Sequence, residues 1–157
     1  FYYSLRQIPE DLEAAGRRTV QAFRIREKFF HIEFFRTREG KLVGLEVNVR
    51  PPGGLTMDMF NYANNIDLYQ EWANIVVHNR FSAAFSRPYH CGYIGRKLNK
   101  SYAHSHRDIM QNFGRLIVHS GPIDSIFSAA IGNYAYIANS QDPEELRTVA
   151  GFIQETS

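Results

Sequence analysis

Glu33 and Glu46 lie in the stretch FFHIEFFRTREGKLVGLEVNVRPPGG, residues 29–54, and their types and spacing point to cation and phosphate chemistry. Residues 29–37 and 42–50 are rich in aromatic and β-branched side chains, and each predicts a strand. Arg38-Glu39-Gly40-Lys41 between them predicts a tight turn. With Glu39 and Gly40 at its tip, Glu33 falls opposite Glu46 and His31 opposite Asn48. Side chains alternate along a strand, so His31 and Glu33 share a face with Glu46, Asn48 and Arg50. Ile32, Phe34, Leu45, Val47 and Val49 point the other way, towards a core. Like charges directly opposite one another destabilise a hairpin. Glu set against Glu therefore either keeps a proton on one of them or expects a cation between them.

Hard divalent cations such as Mg²⁺ take oxygen ligands, commonly carboxylates shared with substrate phosphates. Glu33, Glu46 and Asn48 offer such oxygens on one face. Arg50, two residues further along, can clamp a phosphate or carboxylate with two parallel N–H donors. Gly53-Gly54 leaves backbone amides open to close approach by an anion. The same alternation also suits a hairpin with one polar face in water. His31 is either a substrate or phosphate contact or a hydrogen-bonded neighbour of Asn48.

The elements that must hold this face are readable on either side. Pro9-Glu10-Asp11 opens a helix running to about Arg26, with acids at the positive end of its dipole. Pro51-Pro52 ends the second strand, since neither can donate to a ladder. A short helix over about 58–63 precedes a stronger one begun at Asp67, with Leu68, Trp72, Ile75 and Val76 on a core stripe. Residues 78–90 form a polar and aromatic connector. Beyond it the sequence predicts a strand over 90–98, a helix over 106–113, a strand over 115–119, extended segments over 125–131 and 133–138, and a last helix from Pro143 to Phe152.

The composition bounds the partners. At 157 residues with 44% hydrophobic and 22% charged residues, the chain can bury a core as one domain or two small ones. A net charge of +2, with scattered basic residues, does not suggest a nucleic-acid partner. No apolar run reaches membrane-spanning length, so no membrane is expected. A single cysteine, Cys91, excludes an intrachain disulfide and fits a reducing, cytoplasmic setting. The chain begins at Phe1 within what reads as an ordered segment, which predicts a piece of a longer protein.

FFHIEFF, a turn, and LEVNVRPPGG together resemble the C-terminal part of the ATP-grasp fold. The branch is that of the carboxylate–amine ligases, which includes amino-acid ligases, phosphoribosylglycinamide synthetase and carbamoyl-phosphate synthase. The resemblance is strong over about residues 29–76, looser before it and moderate after it. Its most specific part is the set Glu46, Asn48 and Arg50 combined with the upstream Glu33. It implies an α+β fold: an antiparallel sheet with packed helices as the C-terminal ATP-grasp lobe (1–80), and a small α+β C-terminal subdomain (81–157).

The resemblance implies that Glu33, Glu46 and Asn48 hold the Mg²⁺ (or Mn²⁺) bridging the phosphates of ATP. It implies that Arg50 is the catalytic contact to the γ-phosphate or to an acyl phosphate, and that Gly53 and Gly54 lie beside a carboxylate substrate. An amine or similar nucleophile then displaces the phosphate. The other lobe, with its lysines and phosphate-covering loop, is absent from these 157 residues. The expected partner is therefore an N-terminal part of the same protein, and the isolated chain should be inactive. The alternative is a non-catalytic nucleotide- or partner-binding module. An oligomerisation role suggested by the aromatic stretch 81–93 is weaker.

The remaining polar residues read more plainly. His104 and His106 with Cys91 or His119 lack a paired metal motif, and Ser105 reads as a helix cap. Cys91 has no identifiable base and reads as packing. Asp58 and Asn61 either reach substrate or cap a helix.

Overall fold

The structure, a computed structural model, describes residues 1–157. In chain order its elements are β1 (Tyr2–Ser4), α1 (Glu10–Ala22), β2 (His31–Arg36), β3 (Leu42–Asn48), α2 (Thr56–Asn64), α3 (Leu68–His78), β4 (His90–Arg96), α4 (His106–Phe113), β5 (Ile117–Pro122), α5 (Ser125–Ile131), β6 (Tyr134–Ser140) and α6 (Pro143–Gln154). All strand pairs are antiparallel, and the class is α+β, as the sequence predicts. No helix is long and apolar enough to cross a membrane. The residues form two compact units, each discontinuous in sequence. One comprises Phe1–Arg6, Gly54–Ile66 and Ala84–Ser157; the other comprises Gln7–Gly53 and Asp67–Ala83.

The first unit is built on a four-stranded sheet in the order β1-β4-β6-β5. Strands β4 and β6 carry apolar residues on both faces, which calls for cover on both sides. Cys91, Tyr93, Ala135 and Ile137 pack with Met59 and Ala63 of α2. Ile94, Tyr136 and Ala138 pack with Ile109 of α4 and with Leu146, Val149, Ala150 and Ile153 of α6. Burial pushes the Cys91 thiol up to about 12, which makes it an inert core residue. Ser105 caps α4 through a reciprocal pair with Asp108.

Residues 125–131 are the helix α5, not an extended segment. Asp124 accepts the Ile126 N–H at 3.0 Å, and that cap starts a helical turn. Ile126 is 78% exposed, so no sheet burial rewards its β preference.

The second unit contains the β2–β3 hairpin with α1 and α3. Arg36 donates twice to Asp11 of α1, at 2.6 and 3.1 Å. These bonds hold the Asp11 carboxyl below the usual carboxylate range. The apolar side of the hairpin faces α1 across an open groove of about 550 Å³, lined by Ala15, Thr19, Phe23, Phe34 and Leu42 among others. The cover is incomplete: Leu45 and Val49, expected in a core, are about half exposed.

In α3, Asp67 accepts the N–H groups of Tyr69 and Gln70 and so starts the helix. Its buried side chain is Glu71, only 6% exposed, while Trp72 is 44% exposed. The expected core stripe is thus rotated. Glu71 turns inward because its carboxylate accepts the Ser82 backbone N–H at 2.6 Å and the Asn74 amide at 3.2 Å, and a buried carboxylate needs such donors.

Candidate functional site

The hairpin brings the predicted residues together through two irregularities. Gly40 adopts φ +84°, and Thr37 pairs with Lys41 around it. The loop is therefore Arg38-Glu39-Gly40, one residue longer than the expected two-residue tip. Phe34 consequently faces Gly44, one residue out of the simple register. A bulge at Leu45 absorbs the extra residue, and Glu33 again faces Glu46 while His31 faces Asn48. The predicted pairing holds at the site because the longer loop and the bulge compensate. Bulges twist a strand and re-aim its side chains, and they recur beside active sites.

One donor atom each from His31, Glu33 and Glu46 lie within 4.8 Å of one another. Asn48 donates its amide N–H to Glu46 Oε1 at 2.6 Å, which fixes that carboxylate and leaves the Asn48 carbonyl oxygen as a further donor to a cation. The His31 ring is 19% exposed and its Nε2 stands 3.8 Å from Glu46 Oε1. His31 Nδ1 lies 3.3 Å from the Arg50 carbonyl oxygen; a carbonyl only accepts, so Nδ1 carries a proton there. The bond expected between His31 and Asn48 is replaced by this one to the backbone of residue 50.

The Arg50 guanidinium is exposed and donates to the Pro51 carbonyl at 3.0 Å. Gly53 closes this segment of the second unit, and Gly54 opens a segment of the first. Gly54 has φ +62°, and an added Cβ would stand 3.0 Å from Ile131 Cδ1. Glycine there therefore has a local structural reason. Asp58 stands in the first turn of α2, whose N-cap is Leu55.

Three solved structures share this architecture. N5-carboxyaminoimidazole ribonucleotide synthetase from Thermotoga maritima matches with a TM-score of 0.58 and 13% identity, over 92% of this chain and 41% of that one. Phosphoribosylaminoimidazole carboxylase ATPase subunit from Aquifex aeolicus matches at 0.56 and 12%, over 97% and 46%. Phosphoribosylglycinamide synthetase from Anaerococcus prevotii matches at 0.57 and 9%, over 96% and 42%. The chain shares the fold of the matching part of each structure, in keeping with the C-terminal ATP-grasp fold that the sequence predicts. At these identities the likeness is one of fold, and the chain spans less than half the length of each structure. No protein-family model matches the chain, and no curated protein matches it in sequence.

The donor set suits a hard divalent cation. Two carboxylates and an amide oxygen on one strand face are hard oxygen donors, and the convergence of His31, Glu33 and Glu46 leaves room for an ion among them. The other polar clusters do not converge in this way. His104 pairs with Glu155 at 2.9 Å and stacks on Phe152. His106 lies 3.1 Å from the Tyr136 hydroxyl.

Proposed function

We propose that this chain supplies the Mg²⁺·ATP phosphate-binding face of an ATP-dependent carboxylate–amine (or thiol) ligase that works through an acyl phosphate. The observation that carries the reading is the in-register pair Glu33–Glu46, with Asn48 on the same face and tied to Glu46. Glu33, Glu46 and the Asn48 carbonyl oxygen would hold Mg²⁺ or Mn²⁺. When bound, the ion offsets the charge of the phosphates and of the transferring phosphoryl group.

The chain's own groups do the positioning. Asn48 holds the Glu46 carboxylate in one orientation, so little reorganisation is needed when an ion arrives. Arg50 presents exposed guanidinium donors next to the carboxylates in sequence and is the group proposed to contact the phosphoryl being transferred. Gly53 and Gly54 follow it and are proposed to lie beside the carboxylate substrate. The amine substrate and the rest of the nucleotide site belong to other parts of the whole protein, so the isolated chain should bind Mg²⁺·ATP weakly and not turn it over.

The test is ATP turnover by the whole protein containing this chain, with Mg²⁺ and panels of carboxylates and amines. ADP release that depends on a carboxylate is expected, and Glu46→Gln should lower it by about a hundredfold or more. Full activity in Glu46→Gln would refute the metal assignment. Nucleotide binding without turnover under any substrate pair would make the chain a binding module instead.

A further inference from the structure

We propose that His31 is a nitrogen ligand of this site, which makes the site selective for first-row transition cations such as Mn²⁺ and Co²⁺ over Mg²⁺. The inference rests on the reading of the Glu33–Glu46 face as a cation site and names the class of cation it takes.

Three observations carry it. First, a ligating histidine usually donates its second ring N–H to a backbone carbonyl or a carboxylate, which fixes the tautomer and the ring plane. The Nδ1–H of His31 donates to the Arg50 carbonyl at 3.3 Å, so the Nε2 lone pair is directed elsewhere.

Second, Nε2 stands 3.8 Å from Glu46 Oε1. That separation is too long for an N–H···O hydrogen bond. Two donors each about 2.0–2.2 Å from one ion lie roughly 3–4 Å apart, depending on the angle between them. The spacing therefore fits an ion bridging Nε2 and Oε1 better than a direct bond.

Third, the ring is preorganised. It is 19% exposed and sits on β2 opposite Asn48, whose amide holds the same Glu46 oxygen. Glu33 completes the convergent set.

The chemistry follows from the donor types. Oxygen-only sets suit Mg²⁺, which keeps its waters and favours carboxylate and phosphate. Imidazole nitrogen favours first-row transition cations, with affinity rising from Mn²⁺ to Co²⁺. Replacing one oxygen donor by His31 Nε2 tilts the site towards the latter. It does not abolish Mg²⁺ binding, because Glu33, Glu46 and Asn48 remain.

The test titrates this chain with Co²⁺, Mn²⁺ and Mg²⁺, each alone, by calorimetry, and records the visible absorption of the Co²⁺ form. Mn²⁺ and Co²⁺ should bind at least roughly tenfold more tightly than Mg²⁺. His31→Gln should shrink that preference by roughly tenfold or more, leave Mg²⁺ affinity within about twofold, and move the Co²⁺ band towards that of all-oxygen coordination. Unchanged selectivity and an unchanged Co²⁺ band in His31→Gln would overturn the proposal. A second readout needs no variant. Diamagnetic Zn²⁺ should move the His31 Nε2 resonance in the ¹⁵N NMR spectrum to the position of a metal-bound imidazole nitrogen, and an unmoved Nε2 beside bound Zn²⁺ would equally overturn it. Glu46→Gln separates the two readings. If it removes cation binding while His31→Gln changes nothing, only the nitrogen ligand falls. If it leaves all cation binding intact, the cation site itself falls and this inference with it.

Discussion

Asn48 donates its amide N–H to Glu46 Oε1 at 2.6 Å, and that oxygen is the one facing His31 Nε2 at 3.8 Å. One carboxylate oxygen is thus fixed from its own strand and approached from the opposite strand. Glu46 is the pivot of the face, and Asn48 both positions it and offers an oxygen of its own.

Asn48→Ala removes the donor that orients Glu46. Loss of such an orienting partner typically weakens metal binding by roughly 10–100-fold. That loss is expected for Mg²⁺·ATP binding in the whole protein, measured by calorimetry. Asn48→Asp should behave differently. It sets a third carboxylate against Glu46 and should destabilise the metal-free fold by about 1 kcal/mol. Adding Mg²⁺ should restore that stability. Thermal denaturation with and without Mg²⁺ checks this, and equal melting of Asn48→Asp and wild type in both conditions would contradict the placement.

Gly40 has φ +84° with open space around the position of a would-be Cβ. Gly40→Ala therefore meets no clash, and its whole cost is backbone strain, expected to be roughly 1–2 kcal/mol. Urea denaturation measures it. A neutral effect would mean that the loop is not the three-residue turn described above.

The pairing at the site was legible because aromatic and β-branched runs flank a glycine-bearing turn, and alternation then assigns Glu33, Glu46 and Asn48 to one face. The bulge was not legible. Leu45 looks like any strand residue, and only the longer loop around Gly40 forces the ladder to absorb it. Strand β1 was missed for a different reason. Three residues at Tyr2–Ser4 gain their ladder from β4, some ninety positions away, and local pattern carries no such information. The Asp124 cap was visible as a residue type, yet the Ile-Phe run beside it suggested a strand. In α3, hydrophobicity put Trp72 inside, whereas the backbone N–H of Ser82 decided for Glu71. His31 was placed on the correct face, but its partner is a main-chain carbonyl that no residue pattern encodes.

The inward turn of Glu71 can be measured against its neighbour. Glu71→Ala removes the buried carboxylate that accepts the Ser82 backbone N–H, and a hydrogen bond to a charged group contributes about 1.5–3 kcal/mol. Trp72→Ala removes a side chain that is 44% exposed and so loses less than the 3–5 kcal/mol of a fully buried tryptophan. Urea denaturation of both variants should place Glu71→Ala at or above Trp72→Ala in cost. The reverse order by more than about 1 kcal/mol would restore the tryptophan to a core.

Cys91 offers a pH signature for the first unit. It is fully buried between β4 and α2, and burial raises its thiol from an ordinary value of 9.0 to about 12. The folded state thus keeps its proton where the unfolded chain loses it. The resulting stability is fully present below pH 9 and is lost as pH rises from about 9 towards 12. Two measurements follow. Alkylation of Cys91 at pH 8 should be limited by opening of the fold, so its rate should rise steeply with urea. Cys91→Ala is less stable at neutral pH because of the cavity it leaves. Its stability should nonetheless fall less steeply than that of wild type between pH 9 and 11. Parallel slopes for the two proteins would show that the thiol is not held neutral by its surroundings.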